Sequence, residues 1–294
     1  MDASVQTVPG STSAAQLLAE ATRTLTAAGV GTPRLDAEVL LAAACGVDRA
    51  ALYAGVHDAL PAQRERDFRG MLQRRCARQP LQYITGRQEF WSLDFTLTPD
   101  VLIPRPETER VVELTLAAVR RDFPSEERLT LCDVGTGSGC LAVALARELP
   151  HARIWAIDVS APALAVAEGN ARRHGVGGRV RFVHSDLFEN VEMRRFEVIV
   201  SNPPYVTAAE LARLQPELRC EPRRALEAGA TGLEVIARLL MEAQARLVDG
   251  GWIFIEIGSE QAAAVTALAT AAELKAISVV PDYAGLPRVL VARR

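Results

Sequence analysis

From about residue 130 to the end, the chain alternates short apolar runs with segments of helical spacing, and this alternation restricts the fold more than any other feature. Runs near 130–134, 153–158, 180–185, 196–201, 252–257, 276–281 and 288–293 read as strands. The stretches 107–121, 139–149, 160–174, 233–248 and 259–271 read as helices, with Gly250-Gly251 marking a helix end before Trp252. Parallel strands need a crossover, usually a helix, whereas antiparallel hairpins leave no room for one. The pattern therefore predicts an α/β fold, a seven-stranded, mostly parallel sheet covered on both faces. Such sheets bind ligands outside the carboxyl ends of their strands, so the residues that end the predicted strands are the first candidates for a site.

Three consecutive strand ends carry polar groups. Asp133-Val134-Gly135-Thr136-Gly137-Ser138-Gly139 follows the first strand and opens a helix. Glycines at alternate positions let the backbone pass close to a bound molecule and supply positive φ. A dinucleotide fingerprint requires G-x-G-x-x-G/A, and Cys140 stands where the third glycine or alanine would be; the Lys-Ser/Thr of a phosphate-binding loop is missing too. The acid before the turn suits a ligand with an ammonium group better than a pyrophosphate. Asp158 ends the next strand, placed to accept from ribose hydroxyls. Asp186 ends the third, where it can meet an adenine amine with Leu187 packed on the ring. Each acid by itself reads more readily as a helix cap. Together, Gly135, Thr136, Gly137, Ser138, Gly139, Asp158, Asp186 and Leu187 favour an adenosine with a zwitterionic tail, namely S-adenosylmethionine.

The fourth strand, Phe196 to Val200, runs into Ser201-Asn202-Pro203-Pro204-Tyr205. Two prolines remove two backbone donors and hold the chain extended, and Asn202 before a proline is pushed out of the α region. The result is a stiff ledge offering an amide, carbonyls freed from sheet pairing and one aromatic ring. Those parts suit a flat group bearing an NH2, whose hydrogens the amide oxygen and a carbonyl can accept. The competing interpretation is a turn whose prolines only end a strand. Beyond the ledge, 206–232 is far longer than the ~2–6 residues usual between a strand and a helix, and long structured loops at strand ends are commonly functional.

The front of the chain differs in kind. After a Ser/Thr-flecked start at 1–12, expected to be disordered, Ser13 to Ala28 carries Leu17, Leu18, Ala21 and Leu25 at helical spacing and stops at Gly29. Thr32-Pro33 reads as a cap followed by proline at the first helical position of a helix that Gly46 closes. A short helix from Asp48 and a longer one from Pro61 to Gln79 make four. The last is rich in arginine, a run that is usually a solvated face and alternatively a docking face for an acidic or RNA-associated partner. From Pro80 the pattern turns to alternation, with Phe90, Leu93, Phe95 and Leu97 separated by polar residues, which predicts a hairpin with Gly86 as its turn. The expected domains are a helical one at 13–80, a β-hairpin linker at 81–108 and a catalytic one at 109–294.

A net charge of -3 argues against a chain that grips long nucleic acid through phosphates. The five cysteines are odd in number and widely spaced, without CxxC or a neighbouring histidine, so neither a disulfide framework nor a zinc site is indicated, and no metal is expected. They read as buried small hydrophobes in a reducing compartment. Residues 1–12 lack the features of a signal peptide, and no apolar run reaches the ~18 residues of a membrane span, so a soluble cytoplasmic protein is expected; a monomer is expected as well.

The chain from about 13 to 294 resembles class I methyltransferases, and more narrowly the HemK/PrmC family, in three stretches. They are Gln82-Tyr83-Ile84-Thr85-Gly86 through Glu89-Phe90 to Ile103-Pro104-Arg105-Pro106-Glu107-Thr108-Glu109; Asp133 to Gly139; and Asn202-Pro203-Pro204-Tyr205 followed by Glu221-Pro222-Arg223. The tetrapeptide is shared with several amino-methylating enzymes, whereas the linker is not. The resemblance implies a Rossmann-like methyltransferase sheet. It further implies methylation of the glutamine in the Gly-Gly-Gln motif of class 1 peptide release factors, with the helical domain docking that partner. Gly135 to Gly139, Asp158, Asp186, Leu187 and Asn202 would hold the cofactor. Asn202, Pro203, Pro204 and Tyr205 would hold the glutamine amide, with Asn202, the Pro203 carbonyl and Tyr205 serving catalysis by orientation and electrostatics rather than by a general base. Thr231 stands where that family commonly has Asp, and Leu286-Pro287 replaces a more polar pair. The alternative is methylation of an exocyclic amine on a nucleic-acid base stacked against Tyr205; it calls for a base-reading domain or basic channel, which the sequence does not display.

Overall fold

The computed structural model describes residues 13–123, 129–192, 194–211 and 213–294, so the expected disordered start lies outside the described residues. The chain divides into two compact units. One runs to Gly86 and includes Pro216–Cys220; the other holds Arg87–Gln215 and Glu221–Arg294.

The first unit is helical. Helix α1 (Ala14–Ala27) opens with a capping box between Ser13 and Gln16 and buries Leu17, Leu18, Ala21 and Leu25. In α2 (Pro33–Cys45) proline takes the first turn, and Gly46 ends the helix at φ +72°. Thr32 holds the cap position without capping: its hydroxyl donates to Asp36 Oδ1 at 2.7 Å. Helix α3 (Arg49–Ala54) is capped by Asp48, and α4 (Ala62–Cys76) follows Pro61. A fifth helix, α5 (Leu81–Thr85), is a little over one turn, too short to show a period in sequence.

The arginine run in and after α4 is in part the solvated face expected of it, with Arg64, Arg66 and Arg74 exposed, but Arg69 and Arg78 are half-buried and Arg75 is buried. Arg69 pairs with Glu20 and Glu65, and Arg64 donates to the Ala44 carbonyl. Arg74 donates to the Tyr83 carbonyl, while Arg75 pairs with buried Asp36 and with Glu217. Arg78 binds Glu217 and the Gly29 carbonyl. A long stem with a planar five-donor head reaches carbonyls and carboxylates on neighbouring elements, and these arginines are spent on the unit's own packing.

The second unit begins with a hairpin, β1 (Arg87–Phe90) and β2 (Leu93–Thr96), in register Phe90↔Leu93. Its turn is Trp91-Ser92, with φ +53° and +56°, not Gly86. Two positive φ angles in a two-residue loop match the twist of the flanking strands. Gly86 at φ +73° instead closes α5, the other place where a left-handed residue is wanted. A 3-10 turn at Pro106–Thr108 leads into α6 (Glu109–Asp122).

The remainder follows the predicted alternation: β3 (Thr130–Val134), α7 (Cys140–Glu148), β4 (Arg153–Asp158), α8 (Ala161–Arg173), β5 (Val180–His184) and β6 (Phe196–Ser201). Two short helices, α9 (Ala208–Leu211) and α10 (Arg223–Leu226), lie in the long loop before α11 (Glu234–Arg246). Then come β7 (Leu247–Glu256), α12 (Ala262–Ala271), β8 (Lys275–Pro281) and β9 (Pro287–Arg293). The seven-stranded order is β5-β4-β3-β6-β7-β9-β8, parallel from β5 to β7, with β9 reversed against both its neighbours. Gly250-Gly251 does not end the preceding helix. It lies inside β7, where the register against β6 jumps from Phe196↔Leu247 to Val198↔Trp252, a bulge that Gly250 allows with φ +79°.

The core on one face of the sheet gathers Ile157, Phe188, Phe196, Ile199, Ile236, Leu239, Leu240, Ile253 and Ile255, all fully or almost fully buried. Of the cysteines, Cys132 is buried as expected, but Cys45, Cys76 and Cys140 are half-buried and Cys220 is exposed. Among the described residues no helix is long and apolar enough to cross a membrane.

Candidate active site

Strand order decides where the site lies. From β3 the chain moves outward through β4 to β5, then returns to place β6 on the other side of β3. That reversal opens a crevice at the carboxyl ends of β3 and β6. Val134 and Ser201 are register partners across it, and the Ser201 hydroxyl donates to the Val134 carbonyl at 2.6 Å. The glycine turn that follows Val134 and the ledge that follows Ser201 therefore start side by side.

The glycine turn is held from below. The N–H groups of Gly135 and Thr136 both donate to the Ile157 carbonyl, at 2.8 and 2.9 Å, and Gly137 N–H donates to Asp158 Oδ2 at 2.8 Å. Gly135, Gly137 and Gly139 have φ of +74°, +55° and +82°. A Cβ on Gly139 would come within 3.0 Å of Ala167 Cβ, whereas one on Gly135 or Gly137 would meet nothing within 4 Å. The third glycine thus lets α7 approach α8, and the first two leave space above the turn.

Asp133, wholly buried, accepts from the Thr136 hydroxyl and Ala142 N–H through Oδ2, at 2.6 and 3.1 Å. Among the described residues its Oδ1 has no hydrogen-bond partner, and neither does the buried hydroxyl of Ser138. Burial raises the Asp133 carboxyl to about 7 against two hydrogen bonds that lower it. Asp158 is also pushed up by burial, while accepting from Gly137 and Ser160. Asp186 shares its Oδ2 with Arg238 at 3.1 Å in a half-exposed ion pair. Leu187 is buried at φ +43°.

These strand ends line one cavity of about 630 Å³, within the range of small-molecule sites. Its wall includes Gly135, Thr136, Gly137, Ser138, Asp158, Asp186, Leu187, Asn202, Pro203 and Pro204, together with Leu102 and Pro104 of the linker and Arg224 of the long loop. Gly139 and Tyr205 are not on it. Tyr205 lines a hollow of about 40 Å³ with Asn202, Pro203, Pro204 and Arg105, and packs against the sheet core.

The ledge is braced by groups the sequence did not single out for the site. Asn202 Nδ2 donates to Thr108 Oγ1 at 3.0 Å, and Thr108 donates to Glu256 Oε2 at 2.5 Å. The Tyr205 hydroxyl lies 3.4 Å from Glu256 Oε1, and its carbonyl accepts from Gln261. With its nitrogen committed to Thr108, the Asn202 amide keeps its oxygen free to accept. Glu256, buried at the end of β7, carries the signal that marked Asp133 and Asp158, an acid ending an apolar strand; the expected strand ran on to Ile257 and hid it. Glu221, buried and quoted only within a motif, accepts from Ile103 N–H at 3.1 Å and from Arg105 at 2.5 Å. Arg105 thus serves the linker and the long loop. Thr231, at the position where an aspartate is common, accepts from Leu233 N–H through its hydroxyl at 3.3 Å.

Residues 16–86 match the PrmC N-terminal domain, and residues 117–230 match the methyltransferase small domain. The release factor glutamine methyltransferase of Moorella thermoacetica is 45% identical over 280 residues, covering 95% of this chain and 98% of its own. This chain belongs to the release factor glutamine methyltransferase family. The Geobacter sulfurreducens member is 43% identical over 90% of this chain and 91% of its own. A methyltransferase from Pyrococcus furiosus, at 17% identity, shares the fold with a TM-score of 0.50 over 78% of this chain and 98% of its own. The match to the methyltransferase small domain runs from within α6 into the long loop and includes the stretch that builds the crevice described above.

Proposed function

We infer that this protein transfers a methyl group from S-adenosylmethionine to the side-chain amide nitrogen of the glutamine in the Gly-Gly-Gln motif of class 1 peptide release factors. The observation that carries this reading is the juxtaposition at the switch point: a glycine turn and an amide-bearing ledge begin on paired residues and line one cavity. The residues of the glycine turn fit the cofactor. Bare backbone at Gly135 and Gly137 leaves room for it, and Ser138, on the cavity wall with its hydroxyl unpartnered among the described residues, offers a polar group toward a zwitterionic tail, with the Asp133 carboxyl buried beneath the turn. Asp158 takes the ribose hydroxyls, and Asp186 with Leu187 takes the adenine.

When bound, the cofactor supplies an electrophilic methyl on a sulfonium centre. The chain's own residues then have to orient a poor nucleophile, because the glutamine nitrogen shares its lone pair with its carbonyl. Asn202 Oδ1 and the Pro203 carbonyl accept the two amide hydrogens, which aims the nitrogen and favours its loss of planarity. Well-oriented geometry of this kind contributes roughly 7–11 kcal/mol. Tyr205, held by Glu256, supports the ledge from the smaller hollow. The helical unit receives the release factor, and the enzyme works as a cytoplasmic monomer without sequence-specific nucleic-acid contact.

The test is one incubation with methyl-labelled cofactor, full-length release factor and a release factor whose tripeptide glutamine is alanine. Label in the first protein alone supports the reading. Equal label in both, or label only in added RNA or DNA, overturns it.

A further inference from the structure

Glu256 ends β7 at 1% exposure and takes no direct part in the chemistry above. It is nevertheless linked to the ledge, through Thr108 to Asn202 and directly toward Tyr205. An ionised carboxylate only accepts hydrogen bonds. The single hydroxyl hydrogen of Thr108 must then go to Glu256, leaving its oxygen only able to accept. Asn202 can satisfy it only with Nδ2, so Oδ1 is the end left for a substrate. A protonated Glu256 reverses the sequence. It can donate to Thr108, whose hydrogen then passes to the Asn202 oxygen, and the amide turned over would present NH2 to an incoming NH2.

We propose that Glu256 is a positioning residue that sets, through the Thr108 hydroxyl, which end of the Asn202 amide faces the substrate. The inference rests on the reading that Asn202 receives the glutamine amide. It makes the ledge competent when Glu256 is ionised and incompetent when Glu256 is neutral.

The surroundings place that change within reach. Glu256 faces Glu107 and Thr108 from the turn before α6, Tyr205 from the ledge, Arg288 from β9 and Cys140 from the start of α7. Burial pushes its carboxyl up to about 7, with Glu107 adding to the rise and Thr108, Arg288 and Tyr205 opposing it. Three of these neighbours, Cys140, Tyr205 and Arg288, do not titrate alongside it: burial pushes the Cys140 thiol up to about 12 and the Tyr205 hydroxyl above its ordinary range, and the guanidinium of Arg288 stays charged.

Two measurements test this. In the first, kcat is followed from pH 5.5 to 8.5 at saturating cofactor and release factor. The wild type is expected to lose activity on the acid side with a midpoint near 7, and Glu256→Gln to lose that limb. Thr108→Val should lower kcat tenfold or more with cofactor affinity unchanged, and Thr108→Ser should restore most of it. In the second, without substrate, the side-chain amide resonances of Asn202, assigned by difference from Asn202→Ser, are followed over the same range. They should move with the same midpoint in the wild type and stay still in Glu256→Gln. Static resonances, or an active Thr108→Val with an unaltered acid limb, overturn the inference. A wild type that moves its resonances but methylates no release factor overturns the assigned substrate and leaves the positioning role standing.

Discussion

At the smallest scale, two residues of the proposed site each predict a separable defect. Asn202→Ala removes the acceptor proposed for the substrate amide; kcat should fall by about a hundredfold or more, the scale seen when one positioned hydrogen-bonding group is lost from a reacting centre. Equilibrium binding of the cofactor should be nearly intact, since the glycine turn and Asp158 are untouched, and unchanged turnover on a release factor would refute the assignment. Asp133 predicts a pH effect on binding. Its carboxyl is held at about 7 in the folded protein against an ordinary 3.8, so it is neutral below that pH and ionised above it. A cationic ligand group favours the ionised form, and cofactor affinity should rise with pH through 7 and then level off in titration calorimetry. The same sign applies to the ligand-free fold. An acid whose folded pKa lies above its unfolded one costs stability as pH climbs from 3.8 through 7. Asp133→Asn should therefore raise the melting temperature at pH 8, leave it nearly unchanged at pH 4, and flatten the affinity profile.

At the scale of elements, the glycine turn separates two reasons for glycine. Gly135 and Gly139 both sit at positive φ, but only at Gly139 does a Cβ strike a neighbour, Ala167 at 3.0 Å. Gly135→Ala should cost roughly 1–2 kcal/mol, the left-handed penalty for a residue with a side chain. Gly139→Ala should cost clearly more in urea unfolding, because α7 and α8 must also move apart; equal costs would mean that the contact does not limit the approach of the two helices. The glycine turn itself was legible from its residues, as were the strands that frame it, since strand–turn–helix punctuation is local. The Gly86 turn and the Gly250-Gly251 helix end were misread for a common reason. Positive φ serves a hairpin, a helix end and a bulge equally, and sequence does not say which of them a glycine is meeting. Trp91-Ser92 went unseen because two residues with side chains stand at positive φ where glycine or asparagine is the usual signal.

At the scale of the whole molecule, the helical unit draws in five residues from far along the chain, Pro216–Cys220, and its charges are organised around them. Arg75, 6% exposed, bonds both Asp36 at 2.7 Å and Glu217 at 3.0 Å. Arg75→Met would leave Asp36 buried without its cation, and breaking a buried pair from one side costs about 3–5 kcal/mol. Hydrogen exchange should show the loss in α2 and α4 while β3 and β6 keep their protection; uniform loss would mean that the two units unfold as one. The same cluster predicts acid sensitivity. Its arginine hydrogen bonds lower Glu217 to about 2 against burial that raises it, so the stability it adds is present above 4.5 and is lost as pH falls toward 2. Glu217→Gln should remove that part of the acid transition.

The sequence by itself determined the alternation of strands and helices, the three strand-end motifs and the ledge, because apolar period, proline and glycine act within a few residues of where they stand. The tertiary structure decided which strand ends meet. β6 returns beside β3 rather than beyond β5, and that placement brings the ledge to the glycine turn. It also joins Asn202 to Thr108, 94 residues earlier, and Thr108 to Glu256, 148 residues later. Hydrogen bonds across such separations depend on the lateral order of strands, a property of the assembled sheet that no local pattern along the chain carries.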